Sequence, residues 1–219
     1  MIKTVVFDLD GTLMDTSEGL LFATQYAIDK CGLHPISAEE LRSFIGPPSQ
    51  RRFCEIYGMT PEEGMAAANV FRAYYKDNTL LQAKVYPGIY ELCTFLKNNG
   101  IKTAVATYKR DDCANRLLTH FRFDEYMDEM MGADMEGKYS KSDIIRHVLK
   151  RTGTEDYSEA VVIGDSDNDA LGAKELGIRF IGVTYGFGFN NKEDVYRFDN
   201  IGAADNTKEI EQIILGEIR

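Results

Sequence analysis

Residues 4–15 read T-V-V-F-D-L-D-G-T-L-M-D, and their reading decides the fold. Val5, Val6 and Phe7 form a short apolar, β-branched run, the pattern of a strand buried on both faces at the centre of a parallel sheet. The run stops abruptly at two carboxylates, Asp8 and Asp10, followed by Gly11 and Thr12. Open α/β sheets bind ligands just beyond the carboxyl ends of their strands, so both acids are delivered to a functional edge. A plain D-G turn is the competing reading. It accounts for Asp10 and Gly11 but not for Asp8, whose charge would be costly to bury unpaired.

The rest of the composition bounds the answer. A chain of 219 residues can bury one sizeable core with a modest surplus for a second small unit. With 44% apolar and 27% charged residues it reads as an ordinary soluble globular protein. A formal net charge of −10 argues against a nucleic-acid partner. Anionic small substrates remain admissible, because a metal and a few basic residues can reverse the sign of one cleft. No charged-then-apolar leader precedes the first strand, and no apolar run approaches a membrane span. Cys31, Cys54, Cys93 and Cys113 lack any C-x-x-C spacing, which points away from zinc and from a disulfide framework. The expected location is therefore the cytoplasm, with no membrane partner.

Outward from the first strand, the pattern turns helical. Ser17 is expected to cap a helix running to about Lys30, and Ser37 with Glu40 forms a capping-box pattern. Pro47 and Pro48 forbid continuation. Another helix is expected over 50–57, and Thr60, Pro61 and Glu63 open a further one. From Tyr86 onward, helices and strands alternate: a helix over 89–98, a strand over 101–106, a helix over 112–119 and a weaker strand near 127–132. A helix over 140–151, strands over 160–163 and 179–183, and a last helix from Asn206 or Thr207 complete the chain. Such alternation predicts a Rossmann-like α/β core with a parallel sheet. A crossover needs only about a dozen residues, so the helical block is a domain inserted into the first crossover. The expected division is 1–15 with 80–219 for the core and 16–79 for a helical cap domain.

Three strand ends finish in reactive side chains: Asp8 and Asp10, then Thr107, then Asp165 and Asp169 in G-D-S-D-N-D. Lys141 opens the helix before the last of these, with Ser140 as its expected cap; Lys138 is the rival ammonium. Crowded carboxylates repel one another unless a cation sits among them. A few hard oxygen ligands, with room for water and a phosphate oxygen, suit Mg²⁺ better than zinc or a calcium cage. D-S-D-N-D alone could be an acidic loop of the calcium-binding kind, but it lacks the twelve-residue pattern with a closing Glu.

These motifs, in this order at strand ends, resemble those of the haloacid dehalogenase-like hydrolases over nearly the whole chain. D-L-D-G-T-L matches the first motif, Thr107 the second, Lys141 the third and G-D-S-D-N-D the fourth. F-I-G-P-P-S in the insert and G-V-T-Y-G-F-G after the last motif resemble the phosphoglycolate phosphatase branch. The resemblance implies that Asp8 attacks phosphorus to form an aspartyl-phosphate, and that Asp10 serves as acid and then base. It implies Mg²⁺ held by Asp8, the carbonyl of Asp10 and Asp165, with Asp169 orienting that shell. Thr107 and Lys141 would neutralise the phosphoryl oxygens. Substrate contacts are implied at Gly46, Pro47, Tyr108 and Lys109, although the Gly46 turn also reads as loop punctuation.

Two departures stand out. Tyr108 occupies a position where the branch commonly has Asn, and Gly186 is followed by F-G-F-N-N-K-E-D rather than an acidic run. Arg51 and Arg52 could meet a substrate carboxylate or simply face solvent. The expected activity is a Mg²⁺-dependent phosphatase acting on a small phosphorylated metabolite, as a monomer or weak dimer. A phosphomutase of the β-phosphoglucomutase kind shares every core residue, and a non-catalytic phosphate-ligand binding protein is the alternative from another class.

Overall fold

A computed structural model describes residues 1–134 and 138–218. The chain forms two compact units, Met1–Asp15 with Val85–Arg219 and Thr16–Lys84. The first contains β1 (Thr4–Phe7) and β2 (Met14–Asp15). The second contains α1 (Ser17–Lys30), α2 (Ala38–Arg42), α3 (Ser49–Tyr57), α4 (Pro61–Tyr74) and a π-helical turn over Tyr75–Thr79. The chain then passes through β3 (Lys84–Val85) into α5 (Ile89–Asn98), β4 (Lys102–Arg110), α6 (Asp111–His120), β5 (Glu129–Ala133) and α7 (Lys141–Thr152). It closes with β6 (Ala160–Gly164), α8 (Asp167–Glu175), β7 (Arg179–Val183), α9 (Lys192–Val195), β8 (Gly202–Ala204) and α10 (Thr207–Ile218).

The first unit is built on a six-stranded sheet in the order β5-β4-β1-β6-β7-β8, with every pairing parallel. Val5, Val6 and Phe7 of β1 are fully buried, as a strand at the middle of a doubly covered sheet must be. Strand order runs outward from β1 through β4 to β5 and resumes on the other side at β6. The β1/β6 boundary is therefore the topological switch point, where α/β sheets open a crevice for ligands.

The helical unit has its own core of Ala27, Ile28, Phe44, Phe53, Ala67 and Ala68. Both expected capping boxes form: Ser37 with Glu40 and Thr60 with Glu63. One expected cap does not. Thr16, not Ser17, precedes α1, and its backbone (φ −104°, ψ 8°) is not the extended geometry from which a side chain caps, so no capping bond forms.

Two further differences follow from tertiary pairing. β4 continues beyond Ala106 to Arg110, so Thr107 lies inside the strand and not after it. Ala106 pairs with Met131 and Arg110 with Ala133, so β4 carries two extra residues opposite β5. Such a bulge re-aims side chains, commonly next to active sites. β8 is a three-residue edge strand, G-A-A, with no β-branched residue to announce it, and α9 spans only one turn.

Candidate active site

At the switch point the β1–β6 ladder runs one residue past the strand. The Asp8 N–H donates to the Ile163 carbonyl at 2.9 Å, which fixes the Asp8 backbone beside the end of β6. The chain then turns sharply. Gly11 has φ +84°, and its N–H donates to the Met14 carbonyl at 2.9 Å. The turn and the reactive acids thus coexist in one stretch. Only glycine fits here: a Cβ at Gly11 would overlap Asp165 Oδ2, and the positive φ disfavours other residues.

Lys141 enters from α7. Ser140 caps that helix, accepting from the Asp143 N–H while Asp143 accepts from the Ser140 N–H. With its base anchored, the Lys141 side chain is 96% buried and its Nζ lies 2.6 Å from both Asp8 Oδ1 and Asp169 Oδ1. Gly172 of α8 leaves room for its stem, since a Cβ there would press on Lys141 Cγ. Lys138, the rival, is exposed.

The last two acids flank the start of α8. Asp169 Oδ2 accepts from the Ser166 N–H at 3.1 Å and hydroxyl at 2.7 Å, and the absence of a side chain at Gly164 makes room for its carboxyl. Asp165 Oδ2 accepts from the N–H groups of Phe187 at 2.6 Å and Gly188 at 3.1 Å.

The carboxylates of Asp8, Asp165 and Asp169 offer oxygens that all lie within 4.8 Å of one another, a spacing that one metal ion can bridge. Burial pushes Asp8 up to about 7 and Asp165 up to about 8, and the mutual repulsion of the acids adds to both. Burial alone would lower Lys141, but Asp169 and Asp8 together outweigh it and keep the ammonium charged. One buried cation thus faces three buried carboxyls. This donor set, all hard oxygens with a deficit of positive charge, fits a divalent ion of the Mg²⁺ kind.

Asp10 is directed elsewhere. Its Oδ1 lies 2.9 Å from Lys109 Nζ, and the Lys109 side chain is almost completely buried. Thr107 is buried, and its hydroxyl accepts from the Lys109 N–H at 3.1 Å. Tyr108 is half-exposed; its hydroxyl accepts from the Lys141 N–H at 2.9 Å, and its ring centroid lies 5.8 Å from Lys141 Nζ, within cation–π range. In the helical unit Gly46 has φ +99° and Pro47 is exposed. Arg51 and Arg52 both pair with Glu55, and Arg52 also donates to the Ser43 hydroxyl at 2.5 Å.

Residues 5–183 match the haloacid dehalogenase-like hydrolase family. The chain belongs to that family. It is 35% identical to a 5'-nucleotidase of Pseudomonas aeruginosa over 84% of this chain and 83% of that one. It is 33% identical to phosphoglycolate phosphatase 1 of the same organism over 84% of this chain and 70% of the other. A predicted phosphatase from Clostridium acetobutylicum has the same fold, with TM-score 0.89, 32% identity and 99% of each chain covered. This haloacid dehalogenase-like hydrolase is thus an enzyme with phosphatase relatives. No helix among its described residues is long and apolar enough to cross a membrane, and its four cysteines are free thiols.

Several neighbours of this acidic cluster escaped the sequence reading. Gly164 and Gly172 matter through the space they leave, and Phe187 and Gly188 contribute only backbone N–H groups. The signal was present in G-V-T-Y-G-F-G, whose glycine spacing marks close backbone approach.

Proposed function

We propose that this protein is a Mg²⁺-dependent phosphatase that hydrolyses a small phosphomonoester through an aspartyl-phosphate on Asp8. The observation that carries the reading is Lys141 Nζ, 2.6 Å from both Asp8 and Asp169, inside a cluster of three buried carboxyls. A phosphoryl group entering beside Asp8 would meet that ammonium, and charge neutralisation with positioning is the main catalytic need of phosphoryl transfer.

In the first step an Asp8 carboxylate oxygen bonds to phosphorus as the ester P–O bond breaks. Asp10 delivers a proton to the leaving oxygen. In the second step Asp10 takes a proton from water, whose oxygen attacks phosphorus and breaks the bond to Asp8, releasing phosphate. Lys109, 2.9 Å from Asp10, orients that carboxyl. Thr107 and Lys141 hold the phosphoryl oxygens between the two steps. The side chains of Asp8, Asp165 and Asp169 and the carbonyl of Asp10 would hold the cation. When bound, that ion supplies positive charge that keeps the acids ionised and offsets the phosphoryl charge.

The helical block at 16–79 would act as a cap that excludes water and contributes substrate contacts, with Gly46 and Pro47 among them. Relatives that include a 5'-nucleotidase and a phosphoglycolate phosphatase favour hydrolysis over isomerisation, and a nucleoside 5'-monophosphate or phosphoglycolate as the ester. The test is turnover of p-nitrophenyl phosphate with and without Mg²⁺, then a panel of phosphate esters compared by kcat/KM. Asp8→Asn is expected to abolish turnover. Wild-type protein that is inactive with Mg²⁺ on every ester would refute the proposal.

A further inference from the structure

Residues 184–189, T-Y-G-F-G-F, follow β7 and take no part in the chemistry described above, yet they touch both halves of the acidic site. The Tyr185 hydroxyl donates to the Thr12 carbonyl at 3.0 Å, on the turn that carries Asp8 and Asp10. Its ring packs against Tyr86 with centroids 4.8 Å apart. Two residues on, the Phe187 and Gly188 N–H groups both grip Asp165 Oδ2. The Phe189 N–H donates to the Asp165 carbonyl at 2.8 Å. The contact is close enough to exclude side chains: a Cβ at Gly186 would overlap the Gly11 carbonyl, and one at Gly188 would overlap the Asp165 carbonyl.

We infer that this turn is a positioning element for the cation site, with Tyr185 as the residue that ties the turn after β1 to Asp165. The inference rests on the proposed divalent-cation site and extends it to residues that never touch the ion. Two N–H donors occupy Asp165 Oδ2, so Oδ1 is the oxygen left to face a cation, and the carboxyl cannot rotate without giving up both bonds. Thr12 lies two residues after Asp10, whose carbonyl is a proposed ligand. The Tyr185 hydrogen bond therefore sets the distance between ligands contributed by β1 and by β6. Burial also pushes the Tyr185 phenol upward, so it remains a donor across the working pH range. Groups that orient metal ligands in this way commonly change affinity by about 10–100-fold when removed.

Tyr185→Phe deletes one hydroxyl and keeps the ring, and Gly188→Ala displaces the Asp165 carbonyl. Each variant and the wild type are titrated with MgCl₂ by calorimetry after chelator treatment, with metal-free melting curves recorded in parallel. The expected result is Mg²⁺ binding weakened by roughly tenfold or more in both variants, in protein whose metal-free melt remains cooperative. A purely structural stitch would lower the melting temperature and leave Mg²⁺ affinity alone. Wild-type binding with a Kd within twofold in Tyr185→Phe overturns the positioning role while leaving the cation site standing. A wild type that gives no Mg²⁺ signal overturns the cation site itself, and the positioning role with it.

Discussion

Without a cation at the proposed site, pH should be the controlling variable of this protein's stability. The Asp8 carboxyl, ordinarily near 3.8, is held at about 7 in the folded chain, and Asp165 at about 8, burial being the main cause in both. A carboxyl whose folded value lies above its unfolded one binds more protons folded than unfolded. Its stabilising share is complete below the unfolded value and is lost as pH rises through the folded one. At about 1.4 kcal/mol per pH unit, tapering to half that at the folded value, Asp8 alone withdraws roughly 2 kcal/mol between about pH 5 and 7. Asp165 acts in the same direction to about 8.

Exposed acids held below their ordinary values, such as Glu55 and Asp143, act in the opposite sense. Their window closes below those ordinary values, 4.5 and 3.8. Above about pH 5 the buried pair therefore dominates. The assay is urea denaturation in chelator across this range, repeated with Mg²⁺. A fixed Mg²⁺ concentration at a hundred times the Kd of the alkaline end should restore about 2.7 kcal/mol there and less at the acid end, where protonated carboxyls bind the ion more weakly. Asp8→Asn should lose Asp8's share of the slope. Metal-free stability that is flat or rising between about pH 5 and 7 would refute the reasoning.

Three more perturbations test other parts of the molecule. Lys141→Met removes the ammonium shared by Asp8 and Asp169 and should lower kcat by on the order of 10²–10³; a loss under tenfold in steady-state assays would deny it a place in the chemistry. Gly11→Ala forces a side chain onto Asp165 at a positive φ, so unfolding free energy should drop by more than about 1 kcal/mol, and a wild-type urea midpoint would show that the turn tolerates it. Ser37→Ala deletes the cap of α2 and should cost about 1 kcal/mol of stability, with no measurable change expected if that box is ornamental.

Much of this architecture was legible before folding because its signals are local. The Val5–Phe7 run, the capping boxes at Ser37 and Thr60, and the cap at Ser140 each depend on a few neighbouring residues. Hydrophobic period and cap chemistry therefore marked most elements, and the strand-end acids marked the sheet edge at which Asp8, Asp165 and Asp169 cluster. Tertiary structure alone decided what those side chains meet. No local rule could send Lys109 to Asp10, Lys141 to both Asp8 and Asp169, or the Tyr108 hydroxyl to the N–H of Lys141. The bulge that draws Thr107 into β4 depends on the register of β5, and the grip on Asp165 comes from backbone N–H groups that every residue except proline carries. Such groups have no side-chain signature of their own, and only the flanking glycines, Gly186 and Gly188, mark the close approach. Their role arises only when strand order brings chain segments far apart in sequence to within hydrogen-bonding distance.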